Sequence, residues 1–133
     1  MAESYIDIEA ALVDAAGSNV SASPLPEDFA ESLPWALFTR TGGDIVSRVY
    51  CTHNVSVDVY DSTWAAAQAS ASQAISFLYA LEGEIIGYGN PPEAEAAVYT
   101  VSCQAPYNNP DPKHPNVPRV TFLATLATRT ITL

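Results

Sequence analysis

The run IVSRVYCTHNVSVDVY at residues 45–60, followed at once by DST and then by WAAAQASASQAISFLYALE over 64–82, decides the fold. The odd positions of the first segment are Ile45, Ser47, Val49, Cys51, His53, Val55, Val57 and Val59. The even positions are Val46, Arg48, Tyr50, Thr52, Asn54, Ser56, Asp58 and Tyr60. This period of two, apolar on the odd side, predicts a strand over 45–60 with one buried face. Sixteen residues exceed the usual strand, so the pattern also predicts a bulge or a projecting hairpin arm. The next segment switches period. Trp64, Ala67, Ala71, Ala74, Ile75, Leu78 and Leu81 share one side of a helix predicted over 63–82, with Asp61, Ser62 and Thr63 as candidate caps and Gly83 as its stop. Its alanines permit close approach to a sheet.

Outward from this core, Ser4 with Asp7 reads as an acidic variant of a capping box, and Tyr5, Ile8 and Leu12 recur at helical spacing. A first helix is predicted over 4–16, stopped by Gly17. Residues 18–34 form a Pro-rich loop with a short strand near 19–23. Strands are predicted over 33–40, 84–88, 97–104 and 119–131, with a turn at Thr41-Gly-Gly-Asp44 and a Pro-rich loop over 106–118. No βαβ alternation occurs. The fold class is α+β: an antiparallel or mixed sheet, with the N-terminal helix and the Ala-rich helix packed on one face, in a single domain over 1–133.

Fifteen acids against five bases give a net charge of −10. Such a chain repels nucleic acid and anionic membrane at long range, which excludes a gripping DNA binder but not a surface that DNA slides past. Charged residues are only 15% of the chain, well below the usual quarter, so the surface is expected to combine small polar residues with areas covered by partner subunits. No stretch approaches the ~20 apolar residues of a membrane span. The start MAESYIDIEA lacks a basic n-region, so no signal peptide is expected and folding in a cytoplasm is.

Little here points to chemistry. Cys51 and Cys103 have no metal-ligand spacing and, in a reducing compartment, read as buried small hydrophobes. His53 lies on the apolar strand face and His114 in the Pro-rich loop. Cys51 and His53, two residues apart on one face, are the nearest approach to a thiol site. Glu82/Glu84 and Glu93/Glu95 read as solvated surface, and no Gly-rich phosphate cradle is present. The sequence predicts no catalytic residue, metal or cofactor. The scarce bases Arg40, Arg48, Lys113, Arg119 and Arg129 are candidates for specific ion pairs within or between subunits.

The order of elements resembles the tail terminator (tail completion) proteins of long-tailed bacteriophages. The resemblance is carried by Val55-Ser-Val-Asp-Val-Tyr60 running into the capped helix over 62–81, and by Asp111-Pro112 to Pro118-Arg119 leading into the last strand. The Pro-rich stretch at 18–34 departs from the family pattern. The resemblance implies a structural virion protein assembled in the host cytoplasm. It implies a homo-oligomeric ring, a hexamer in the family, docked on the major tail tube protein and facing a head–tail connector protein. DNA would pass through an acidic lumen. It adds Asp111 to the five bases as candidate interface residues, and strand 45–60 as a candidate edge for head-to-tail contacts. Two competing readings are another head–tail adaptor or minor tail protein, and a non-viral ligand carrier or enzyme using Cys51 and His53.

Overall fold

The computed structural model describes residues 3–47, 49–89, 93–129 and 131–132. The elements run β1 (Glu3–Ser4), α1 (Ile8–Ala16), β2 (Val20–Ala22), a 3-10 turn at Phe29–Ser32, β3 (Trp35–Gly42), β4 (Tyr50–Tyr60) and α2 (Trp64–Ala80). They continue with β5 (Ile85–Tyr88), β6 (Ala94–Cys103), β7 (Tyr107–Asn108), β8 (Arg119–Arg129) and β9 (Ile131–Thr132). The α+β class and the two helices are as the periodicities predict.

The main sheet has the order β2-β3-β4-β8-β6-β5, with β7 also pairing β8. Its pairs are antiparallel except β2 with β3, which is parallel. The loop over 23–34 carries the chain back along the sheet, so β2 and β3 point the same way. A separate two-stranded ribbon joins β1 to β9.

Alternation sorts β4 and β8 into two faces. Val55, Val57 and Val59 stand opposite Ala124, Phe122 and Val120, and all six are buried. Against them pack Ile8, Ala11 and Leu12 of α1 and Ala67, Ala71 and Leu78 of α2. Burying each of the larger side chains contributes about 1.5–3 kcal/mol. α2 lies over β8, β4 and β6, while α1 touches β5 at one edge of the sheet and β2 and β3 at the other. The sheet therefore curls around both helices. Its other face carries Thr52, Asn54, Ser56 and Asp58, none of them buried.

Several boundaries differ from the expectation. α1 starts at Ile8, because the Asp7 carboxylate rather than Ser4 accepts the Ala10 N–H, at 3.2 Å. Ser4 belongs to β1 instead. β4 starts at Tyr50, so the apolar Ile45, Val46 and Val49 precede the strand and are exposed rather than core. β4 is also central, paired along its length with β8 and over most of it with β3, so it offers no continuous edge to a neighbour. The Ala-rich helix starts as expected, with the Thr63 hydroxyl accepting the Ala66 N–H at 3.1 Å, and closes through Gly83, whose φ is +81°.

Candidate functional site

Polar groups gather in two places, at opposite ends of β4. The first lies on the helix-facing side, where β3, β4 and β8 run together. Arg40 Nε donates to His53 Nδ1 at 3.0 Å. His53 Nε2 lies 2.9 Å from the Thr128 hydroxyl and 3.3 Å from Cys51 Sγ. An arginine only donates, so Nδ1 must be the accepting nitrogen and the imidazole proton sits on Nε2. His53 is 1% exposed and Cys51 2% exposed. Burial, followed by the Arg40 charge, lowers the His53 pKa to about 4. The imidazole is thus neutral, and its lone pair is occupied by Arg40. Cys51 and His53 do meet, as their spacing suggests, but Nε2 already carries a proton and cannot take the thiol's.

The second group pins the Pro-rich loop to the other face of the sheet. The Asp111 carboxylate accepts the Tyr60 hydroxyl at 2.9 Å and the Lys113 backbone N–H at 3.0 Å, and lies 3.0 Å from His114 Nδ1. Arg119 Nη1 stands 3.7 Å from the same carboxylate, while its Nε donates to the Asn109 carbonyl at 2.7 Å. The Phe29 ring stacks on Tyr60 with centroids 4.6 Å apart and meets His114 edge-on at 4.9 Å. Burial would raise the Asp111 pKa, but the bonds from His114, Lys113 and Tyr60 and the Arg119 charge outweigh it and hold it at about 2. Burial, foremost, pushes the Tyr60 hydroxyl up to about 12.

The six candidate interface residues therefore scatter. Asp111, Lys113 and Arg119 share the loop cluster, with Asp111 and Arg119 engaged within the chain. Arg40 is exposed but holds His53. Arg129 is exposed at the far end of β8. Arg48 lies outside the described residues.

Other features carry no signal in the sequence. The Glu9 carboxylate accepts the Arg40 N–H at 2.9 Å and the Ser23 N–H at 3.2 Å, capping β3 where β2 has ended. On the opposite side, Glu82 takes the Val101 N–H at 2.7 Å and the Tyr79 hydroxyl takes the Cys103 N–H at 3.0 Å, capping the part of β6 that lies beyond the start of β5. Side chains thus satisfy the β3 and β6 amides that β2 and β5 do not reach. A cleft of about 340 Å³ opens between α2 and the β2–β3 side of the sheet, over Val20, Ala36, Phe38, Ala74 and Phe77. A second hollow, about 270 Å³, lies on the exposed sheet face between Asn54, Ser102, Gln104 and Thr125. No group of metal-binding side chains occurs among the described residues.

No family model matches the chain. No curated protein matches it either. Among solved structures, a chain of the "Virion of native gene transfer agent (GTA) particle" is similar, with a TM-score of 0.54 and 13% identity over 90% of this chain and 85% of that chain. At that identity the likeness is one of fold.

Proposed function

We propose that this chain is a structural virion protein of the phage type: a tail-terminator subunit that forms a ring, of six copies by the resemblance. The ring caps the tail tube, ends its growth and presents a surface to the head connector. The observation that carries the reading is the shared fold with a chain of a gene transfer agent virion over nine-tenths of this sequence. It agrees with the order of elements and the two local signatures that resemble tail terminators.

The physical chemistry supports the reading at two further points. Glu82, Glu84, Glu93 and Glu95 are exposed around the β5–β6 hairpin of a chain whose net charge is −10. Such a surface repels a phosphate backbone and lets DNA slide past it. In this reading no side chain performs a catalytic step, and the proton placement on His53 leaves Cys51 without a base.

Electron microscopy of the purified protein, alone and mixed with isolated tail tubes, tests the proposal. Rings with a central hole, seated on tube ends, are expected. A protein that stays monomeric and leaves tube ends bare would sink it. Density located elsewhere in the neck would move the assignment to a head–tail adaptor.

A further inference from the structure

The Arg40 side chain bridges two parts of the β3–β4 hairpin. Its Nε donates to His53 Nδ1 at 3.0 Å, and its Nη2 lies against Gly43, where an added Cβ would stand 3.0 Å from it. One guanidinium thus ties β4, at His53, to the residue that follows β3. Beneath it both nitrogens of the buried His53 ring are engaged, Nδ1 as acceptor and Nε2 beside the Thr128 hydroxyl and Cys51 Sγ. The hairpin end has few other ties. The ladder runs in register from Trp35 to Arg40, then slips at Thr41 before Gly42 meets Asn54. Past that point, the Asp44 N–H donates to the Thr52 hydroxyl at 3.0 Å and the Thr52 N–H to the Asp44 carbonyl at 2.8 Å. Residues 41–44 contribute nothing to the buried core.

We propose that Arg40 is an acid-released latch: a second proton on His53 expels the guanidinium, and the hairpin end at residues 41–44 opens while the rest of the sheet stays closed. A charged imidazole donates from both nitrogens. On the Nε2 side nothing changes, because Nε2 already carries a proton. On the Nδ1 side the new N–H would face the Arg40 N–H across 3.0 Å, donor against donor and cation against cation. No neighbour among the described residues relieves that conflict. β3 presents only Arg40 to the ring, β4 the Cys51 thiol, and β8 the uncharged Thr128 and Leu126. The Glu9 carboxylate of α1 binds the Arg40 backbone N–H instead. The other buried polar side chains, Asp61, Asp111 and Thr121, belong to the opposite end of β4. His53 is enclosed, whereas Arg40 is exposed, so it is Arg40 that moves, into water. Protonation of one histidine then selects between two arrangements of a hairpin end. Burial and Arg40 both favour the neutral ring, so release waits until pH approaches about 4.

The latch is internal to one chain, so it stands whether or not copies form a ring. NMR of the full chain from pH 7 down to about pH 3 tests it. As the His53 ring titrates, the Arg40 Nε–H signal should vanish into exchange with water, and the Overhauser contacts between Asp44 and Thr52 should disappear. Contacts between Val57 and Phe122, paired in the core, should persist through that step. His53→Gln, neutral at every pH, should keep the Asp44–Thr52 contacts throughout. Arg40→Met should lack them already at pH 7. Asp44–Thr52 contacts that survive to about pH 3 would overturn the latch. So would their loss in one step with the Val57–Phe122 contacts, which is general unfolding. A step that remains in His53→Gln belongs to another group, the Asp44 carboxylate foremost, and sinks the proposal as well. Should His53→Gln not fold, Arg40→Met decides: wild-type contacts at pH 7 in that variant show that Arg40 holds nothing closed.

Discussion

Burial and the Arg40 guanidinium hold His53 at about 4 against its usual 6.5, so between those values the unfolded chain takes up a proton that the folded chain refuses. The stability this neutral histidine confers is complete above pH 6.5 and drains away as pH falls toward about 4, by about 3 kcal/mol at most. Asp111, held at about 2 against 3.8, adds a second loss of about 2 kcal/mol over that lower window. Urea midpoints measured from pH 7 to 2 should show both steps. His53→Gln should remove the upper step alone, and a wild-type profile flat from pH 7 to 4 would refute the account. At Gly43 the constraint is steric. Its φ is +146°, and a Cβ there would collide with the Thr52 carbonyl oxygen. Gly43→Ala should cost about 2–4 kcal/mol in thermal or chemical denaturation. The nearness of Cys51 and His53 was legible from their spacing. Arg40 and Thr128 were not, because their places follow from the register of three strands distant in sequence.

Among the elements, α2 and β8 were the most legible, because one strong period runs through each. Thr63 caps α2 as its position suggests, and β8 starts at Arg119 as expected. The strand over 45–60 was misjudged at its start. Ile45, Val46 and Val49 continue the apolar alternation, and nothing local reveals that they lie beyond the core. The parallel pairing of β2 was also hidden, since strand direction is set by where the 23–34 loop returns. The edge caps on β6 yield a prediction at this scale. Tyr79→Phe with Glu82→Ala removes the acceptors for the Cys103 and Val101 N–H groups. Hydrogen exchange at those two amides should quicken about tenfold or more, with little change at β4. Unchanged exchange at both amides would show that water replaces the caps at no loss.

For the molecule as a whole, net charge governs how copies meet. Raising salt from about 10 mM to about 150 mM shortens the Debye length from about 30 Å to about 8 Å. If contacts between copies are apolar, screening the mutual repulsion of chains at −10 should strengthen self-association over that range. Ion pairs through Arg129 or Lys113 would make it weaken. Light scattering across a salt series distinguishes the two.

The capped strand edges bear on how such copies can be counted. A ladder of backbone hydrogen bonds extends by the same step each time and has no internal reason to stop. Glu9, Tyr79 and Glu82 withhold the overhanging amides of β3 and β6 from such a ladder. Growth is left to contacts that meet at a fixed angle, and an angle, unlike a step, can come full circle.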